Sequence, residues 1–228
     1  MNVFIDIETI PEQPEEKARA RIAETIKAPA AMKKVETIDA WHNGEGKYAG
    51  EKDKAIDDAY RKTSFDGAKG QICSIAWEIE GHDLTSTSDK DWLEADMLKH
   101  FFNDVKILCR GRPPYFIGQY IGGFDLKFLF HRAVILGIEP PFKIPFDGRH
   151  GKDFYCTQAA WAGFGGRMSQ DNLCKTLGIE GKPDDIDGSK VWDFYKAGKI
   201  ERIEEYNRDD VQKIVKIYNR INFIGATQ

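Results

Sequence analysis

From the second residue onward the chain places apolar residues at every position except those of Asn2, Asp6 and Glu8, up to Thr9. Val3, Ile5 and Ile7 fall on one side of an extended segment and Phe4, Asp6 and Glu8 on the other, because successive side chains of a strand point to opposite faces. Apolar residues on both sides predict a strand inside a sheet, and Thr9-Ile10-Pro11 ends it, since proline cannot donate to a ladder. Strand character returns at Ile72-Cys73-Ser74-Ile75-Ala76-Trp77-Glu78-Ile79, followed by Gly81-His82-Asp83 and Leu84-Thr85-Ser86-Thr87, which together predict a hairpin. Tyr115-Phe116-Ile117 predicts one more strand.

Helical spacing dominates elsewhere. Trp92, Leu93, Met97, Leu98, Phe101, Phe102 and Val105 predict a helix over 91–108, and Leu126, Leu129, Phe130 and Val134 supply the buried stripe of another over 124–136. Ser169 is a good cap for a helix over 169–177 that carries Leu173, Cys174 and Leu177 on one face and stops at Gly178. A last helix spans 200–223. Between the first two strands, residues 12–70 are rich in Glu, Lys, Asp and Ala, with helices predicted over 14–27 and 53–62. Asn43, Gly44, Gly46 and Gly50 predict a flexible connector between them, and the whole stretch reads as an insertion. Strands first, then a helix, a strand and mostly helices predict an α/β domain: a mixed central sheet flanked by helices.

Composition narrows the class. Of 228 residues, 41% are hydrophobic and 31% charged, which fits a soluble globular chain. No apolar run approaches the roughly 20 residues that span a bilayer, and the start lacks the basic stretch of a secretory signal, so a cytoplasmic protein without a membrane partner is expected. Cys73, Cys109, Cys156 and Cys174 form no CxxC pair, which predicts reduced, buried thiols rather than zinc ligands. A net charge of −4 gives no footprint of a tight nonspecific nucleic-acid binder, although local basic patches remain compatible with phosphate.

The chemistry-bearing feature is a set of acids. Asp6 and Glu8 lie on the same side of the first strand, Cα atoms roughly 6.5 to 7 Å apart, where two like charges repel. The escapes are a raised pKa, a basic partner or a bound cation, and no Lys or Arg is near in sequence. Hard oxygen ligands of this kind suit magnesium or manganese. Asp125 follows Gly122-Gly123-Phe124 at a predicted helix start, either as an acid favoured by the helix dipole or as a further ligand. In "EYNRDDVQKI", Tyr206 and Asp210 are four apart and share a helical face with Ile203, Ile214 and Ile217, so Asp210 points inward while Asp209 points away.

IDIET in a strand, GGFD opening a helix and YNRDD in the last helix, in that order, resemble the DEDD 3′-to-5′ exonucleases in their tyrosine-bearing DEDDy branch. "GGFDLKFLFHRA", "MSQDNLCKTLGI" and "GSKVWDFYKAGKIERIEEYNRDDV" are similar to stand-alone relatives of the proofreading domains of family B DNA polymerases. The resemblance covers most of the chain outside 12–70. It implies an RNase H-like fold, with residues 1–228 as a single exonuclease domain and 12–70 as a helical insertion within it. It also implies that Asp6, Glu8, Asp125 and Asp210 gather around two divalent ions, Mg2+ or Mn2+. Asp6 would bridge them, Glu8 and Asp210 would complete one site, Asp125 would support the other, and Tyr206 would orient the attacking water. Thr9, Ile10 and Phe124 are the expected substrate contacts.

The implied activity is hydrolysis of the terminal phosphodiester of single-stranded nucleic acid, releasing nucleoside 5′-monophosphates, with DNA favoured over RNA. A polymerase or other replication protein is the expected partner. The alternatives are an RNA-trimming exoribonuclease and a non-cleaving module that binds nucleic-acid ends or a polymerase. One departure is visible: relatives often carry Asn a few residues before the second-motif Asp, where this chain has Gln119-Tyr120-Ile121. Tyr120 and Trp41 are further candidates for base stacking, and Arg167, in a glycine-rich stretch, is one for the phosphate backbone.

Overall fold

The computed structural model describes residues 1–163, 165–181 and 183–225. Two compact units emerge, one made of residues 1–9 with 72–228 and the other of residues 10–71.

The first unit is built on a five-stranded sheet. Its strands are β1 (Asn2–Ile10), β2 (Gln71–Ile79), β3 (Thr85–Ser88), β4 (Tyr115–Gly118) and β5 (Tyr155–Cys156), in the spatial order β3-β2-β1-β4-β5. β1 pairs in parallel with β4, β4 with β5, and β2 runs antiparallel to β3, giving the mixed sheet expected. The Glu80 amide donates to the Asn2 carbonyl while the Cys73 thiol donates to that of Glu8, so β2 runs opposite to β1. β1 is therefore central, as its two-sided apolar pattern required.

That pattern separates two cores. Val3, Ile5 and Ile7 belong to the large core with Ile75, Trp77, Phe101, Phe116, Leu126 and Leu129. Phe4 faces the other way, against Ala76, Ile117, Val211 and Ile214. α4 (Glu94–Leu108) and α5 (Asp125–Ile135) supply the first core, and α9 (Ile200–Ile221) the second. α7 (Gln170–Leu177) packs on α9 through Leu173, Cys174 and Ile217. Its cap is the one its sequence announces: Ser169 Oγ accepts from the Asn172 amide at 3.2 Å, and Gly178 ends it at φ 67°. All four cysteines are free and buried. Among the described residues no helix is long and apolar enough to cross a membrane.

The second unit contains α1 (Glu15–Thr25), α2 (Val35–Asn43) and α3 (Glu51–Arg61). Arg19 of α1 ties it to α3: it pairs with Glu15 at 2.7 Å, bonds Asp57 and lies over the Tyr60 ring at 4.4 Å.

Several expectations need correction. The connector contains α2, whose C-cap is Gly44 at φ 67°, so the glycines read as breakers bound a helix instead of dissolving one. Trp41 is buried, 1% exposed, and offers no face to a base. α4 starts later than predicted, leaving Trp92 and Leu93 outside the stripe, 42% and 75% exposed. On α5, Phe130 and Val134 face outward, and Asp125, Phe128, Arg132 and Ala133 join Leu126 and Leu129 inside. α6 (Thr157–Ala162), α8 (Val191–Lys196) and β5 had no predicted counterpart.

Candidate active site

Alternation along β1 places Asp6 and Glu8 in the same row as Phe4, on the face covered by α9. The helix matches that row. Its apolar Val211 and Ile214 cover Phe4, while buried Tyr206, Asn207 and Asp210, one turn earlier, present polar groups to the acidic end of the strand. Oxygen atoms of Asp6, Glu8 and Asp210 consequently lie within 4.8 Å of one another. Glu8 and Asp210 are buried and Asp6 is half-buried.

Asp125, expected with these three, is not in the converging set and meets the backbone of β1 instead. β4 pairs with β1 only over Asn2–Phe4, so β1 outruns it and the amide of Ile7 is available to Asp125 Oδ1, which accepts from it at 3.3 Å. The chain reaches this position through Gly122-Gly123. A Cβ on Gly122 would lie 2.5 Å from the Phe154 ring, and one on Gly123 would meet the end of the Tyr120 side chain, so a larger residue at either position would displace those rings. Burial pushes the Asp125 carboxyl up to about 7, with Asp210 adding to the shift and two backbone amides opposing it.

Protein groups already surround Asp210. Gln170 Nε2 donates to its Oδ1 and to its carbonyl, both at 3.1 Å, and the nearly inaccessible Lys213 ammonium stands 3.7 Å from Oδ1 while also pairing with Asp209. Asp210 therefore has neutral and cationic protein partners of its own. The Tyr206 hydroxyl hydrogen-bonds Asp210, and burial together with the charges of Glu8, Asp210 and Asp6 raises its pKa strongly. It stays a neutral donor.

The remaining expected residues lie around this centre. Thr9 and Ile10 end β1 and are 9% and 1% exposed; Phe124, half-buried, precedes α5 and tilts against Phe128 at 5.6 Å. Gln119 is held in the scaffold, donating to the Met168 carbonyl at 2.7 Å and accepting from Thr157. A cleft of about 330 Å³ borders the glycine turn, lined in part by Tyr120, Gly122, Gly123, Phe154 and Arg167. Asn207, Gln170 and Lys213 escaped sequence reasoning, although Asn207 and Lys213 fall on or beside the buried stripe of α9.

The donor set fits a divalent cation. Three converging carboxylates, two of them buried, are costly to ionise together, a cost that a bound cation relieves. All the donors are hard oxygens.

Residues 68–227 match the family model described as a predicted 3′-5′ exonuclease related to the exonuclease domain of PolB. The chain belongs to this family. No curated protein matches it in sequence. Among solved structures, the family B DNA polymerase of the hyperthermophilic archaeon Pyrobaculum calidifontis is similar over 97% of this chain, with a TM-score of 0.60 and 14% identity. The chain spans only 24% of that polymerase. The likeness establishes the fold: an RNase H-like α/β sheet flanked by helices, as in a polymerase exonuclease domain.

Proposed function

We propose that this protein is a DEDDy-type 3′-to-5′ exonuclease that uses two divalent ions, Mg2+ or Mn2+, to remove nucleoside 5′-monophosphates from single-stranded DNA ends. The observation that carries the reading is the convergence of Asp6, Glu8 and Asp210 within 4.8 Å, beside the Tyr206 hydroxyl. Membership in a family of predicted 3′-5′ exonucleases supports the reaction class. The DNA polymerase likeness favours DNA over RNA and a polymerase or replication partner. Four free thiols suit the reducing cytoplasm.

In this reading Asp6, Glu8 and Asp210 hold the ions, with Asp125 completing the set. Bound there, divalent cations supply positive charge for the incoming and leaving oxygens of an in-line phosphoryl displacement. Tyr206 donates a hydrogen bond and orients the attacking water; its raised pKa makes it a poor base at neutral pH. The cleft beside Gly122-Gly123 receives the strand, with the Tyr120 ring, 55% exposed, available for stacking and Arg167 for phosphate. Phe124, at the entry to α5, contacts the terminal nucleotide, and Thr9 and Ile10 contribute through the backbone at the end of β1.

A 5′-labelled single-stranded oligonucleotide should shorten from its 3′ end with Mg2+ or Mn2+, and not in EDTA. Asp6→Ala and Asp210→Ala should each abolish cleavage. Full activity in either variant rejects the assignment, and faster trimming of a matched RNA transfers it to an exoribonuclease.

A further inference from the structure

We infer that Asn207, held by Ser74, is a positioning residue that fixes the Asp6 carboxylate for cation binding. The inference rests on the functional reading above. Asn207 Nδ2 donates to Asp6 Oδ2 at 2.7 Å, joining α9 to β1 across 201 residues of sequence. On its other side, Asn207 Oδ1 accepts from the Ser74 hydroxyl of β2 at 2.9 Å. Both Asn207 and Ser74 are fully buried, 0% exposed, so neither amide end has water as a substitute partner.

Direction matters in this chain of bonds. An ionised carboxylate only accepts, so Asn207 must turn its NH2 toward Asp6, and its oxygen then faces the Ser74 hydroxyl, which donates. An amide flip would set carbonyl oxygen against carboxylate. Asp6 thus sets the orientation of the amide, and Ser74 on the neighbouring strand anchors its other end.

Asp6 is the most exposed member of the acidic trio. It is half-buried, whereas Glu8 and Asp210 are buried, and Asp210 has Gln170 and Lys213 against it. The type of partner is also informative. Lys or Arg at 207 would cancel the Asp6 charge and compete with a cation. A neutral amide occupies one of about four acceptor positions on the carboxylate and leaves its charge in place. Partners of this kind commonly govern metal affinity by about 10- to 100-fold.

The test is Mn2+ titration calorimetry on the whole chain, with circular dichroism and melting of the metal-free protein as a folding control. Asn207→Leu should weaken Mn2+ binding by about 10-fold or more, and Ser74→Ala by a smaller factor. Because Ser74 acts through Asn207, the double variant should bind Mn2+ as Asn207→Leu does, with no further loss. A merely structural role would lower melting temperature in each variant without this non-additivity in affinity.

Binding within two-fold of wild type in folded Asn207→Leu overturns the inference, as do losses that multiply in the double variant. Should Asn207→Leu fail to fold, Ser74→Ala decides: unchanged affinity overturns the inference and weakened affinity supports it. No uptake of Mn2+ by wild-type protein removes the functional reading and this inference together, whereas normal uptake with insensitive variants removes this inference alone.

Discussion

The amide of Ile7 donates to the carboxylate of Asp125 at 3.3 Å, although the two residues lie 118 positions apart. Ile7 sits between Asp6 and Glu8 in β1, so this bond ties the start of α5 to the strand at the point where the acids converge. It also keeps Asp125 in a location that desolvates it almost completely, 2% exposed.

The cost of that location should be measurable. With a folded pKa near 7 against an ordinary 3.8, the native state holds a proton that the unfolded chain has released. The stabilisation is full below about pH 4 and is lost as pH rises through about 7. In EDTA, Asp125→Asn should therefore raise the melting temperature at pH 8 more than at pH 5, because the amide keeps an acceptor for Ile7 without a charge. The same variant should lose cleavage activity by at least about 100-fold. A variant that melts lower than wild type at pH 8, or still cuts, contradicts this account of Asp125.

Tyr206 separates positioning from ligation. Its hydroxyl bonds Asp210, which keeps Gln170 and Lys213 when the hydroxyl is removed. Tyr206→Phe should slow turnover by about 10- to 100-fold, the order of loss expected when a reacting group is misplaced. Mn2+ affinity by calorimetry should stay within about two-fold. Parallel loss of affinity and rate would make the tyrosine part of the cation site instead.

Most of this centre was legible in the sequence because it lies on elements with strong periodicity. Successive β1 side chains point to opposite faces and α9 repeats its buried stripe at Ile203, Tyr206, Asp210, Ile214 and Ile217, so the facing of Asp6, Glu8, Tyr206 and Asp210 follows from counting residues. The misreadings arise where polar groups take inner positions. Arg132 replaces Phe130 and Val134 on the inner face of α5 because Glu94 awaits it there, a partner no local pattern announces. Asn207 and Gln170 act through hydrogen bonds to distant elements, which leave no periodic trace. α8 and β5 have too few residues for a period to show.

His150 gives a pH dependence of opposite sign. Its Nδ1 accepts from the Cys156 amide at 2.9 Å, which requires the neutral ring, and burial lowers its pKa from 6.5. The unfolded chain takes up the proton first, so this contribution is complete above pH 6.5 and is lost as pH falls through the depressed folded value. The His150 ring should titrate below 6.5 by NMR, with the Cys156 amide shift moving in step. A midpoint at or above 6.5 would mean that the bond to β5 does not form as described.

The pair of Glu94 and Arg132 supplies a test of the scaffold itself. Arg132 grips both oxygens of Glu94, at 2.8 and 2.7 Å, with side chains only 7% and 11% exposed, and Glu94 Oε1 also accepts from the Ile72 amide at 2.8 Å. Arg132→Met leaves a largely buried carboxylate without its cation and should cost about 3 to 5 kcal/mol in urea denaturation. Replacing both, as Glu94→Leu with Arg132→Met, removes the charge problem and leaves the Ile72 amide without its acceptor, a cost of about 1 to 3 kcal/mol. The double variant should therefore be more stable than Arg132→Met alone. If it is less stable, the pair contributes through packing or a wider network, and the charge argument for this part of the sheet fails.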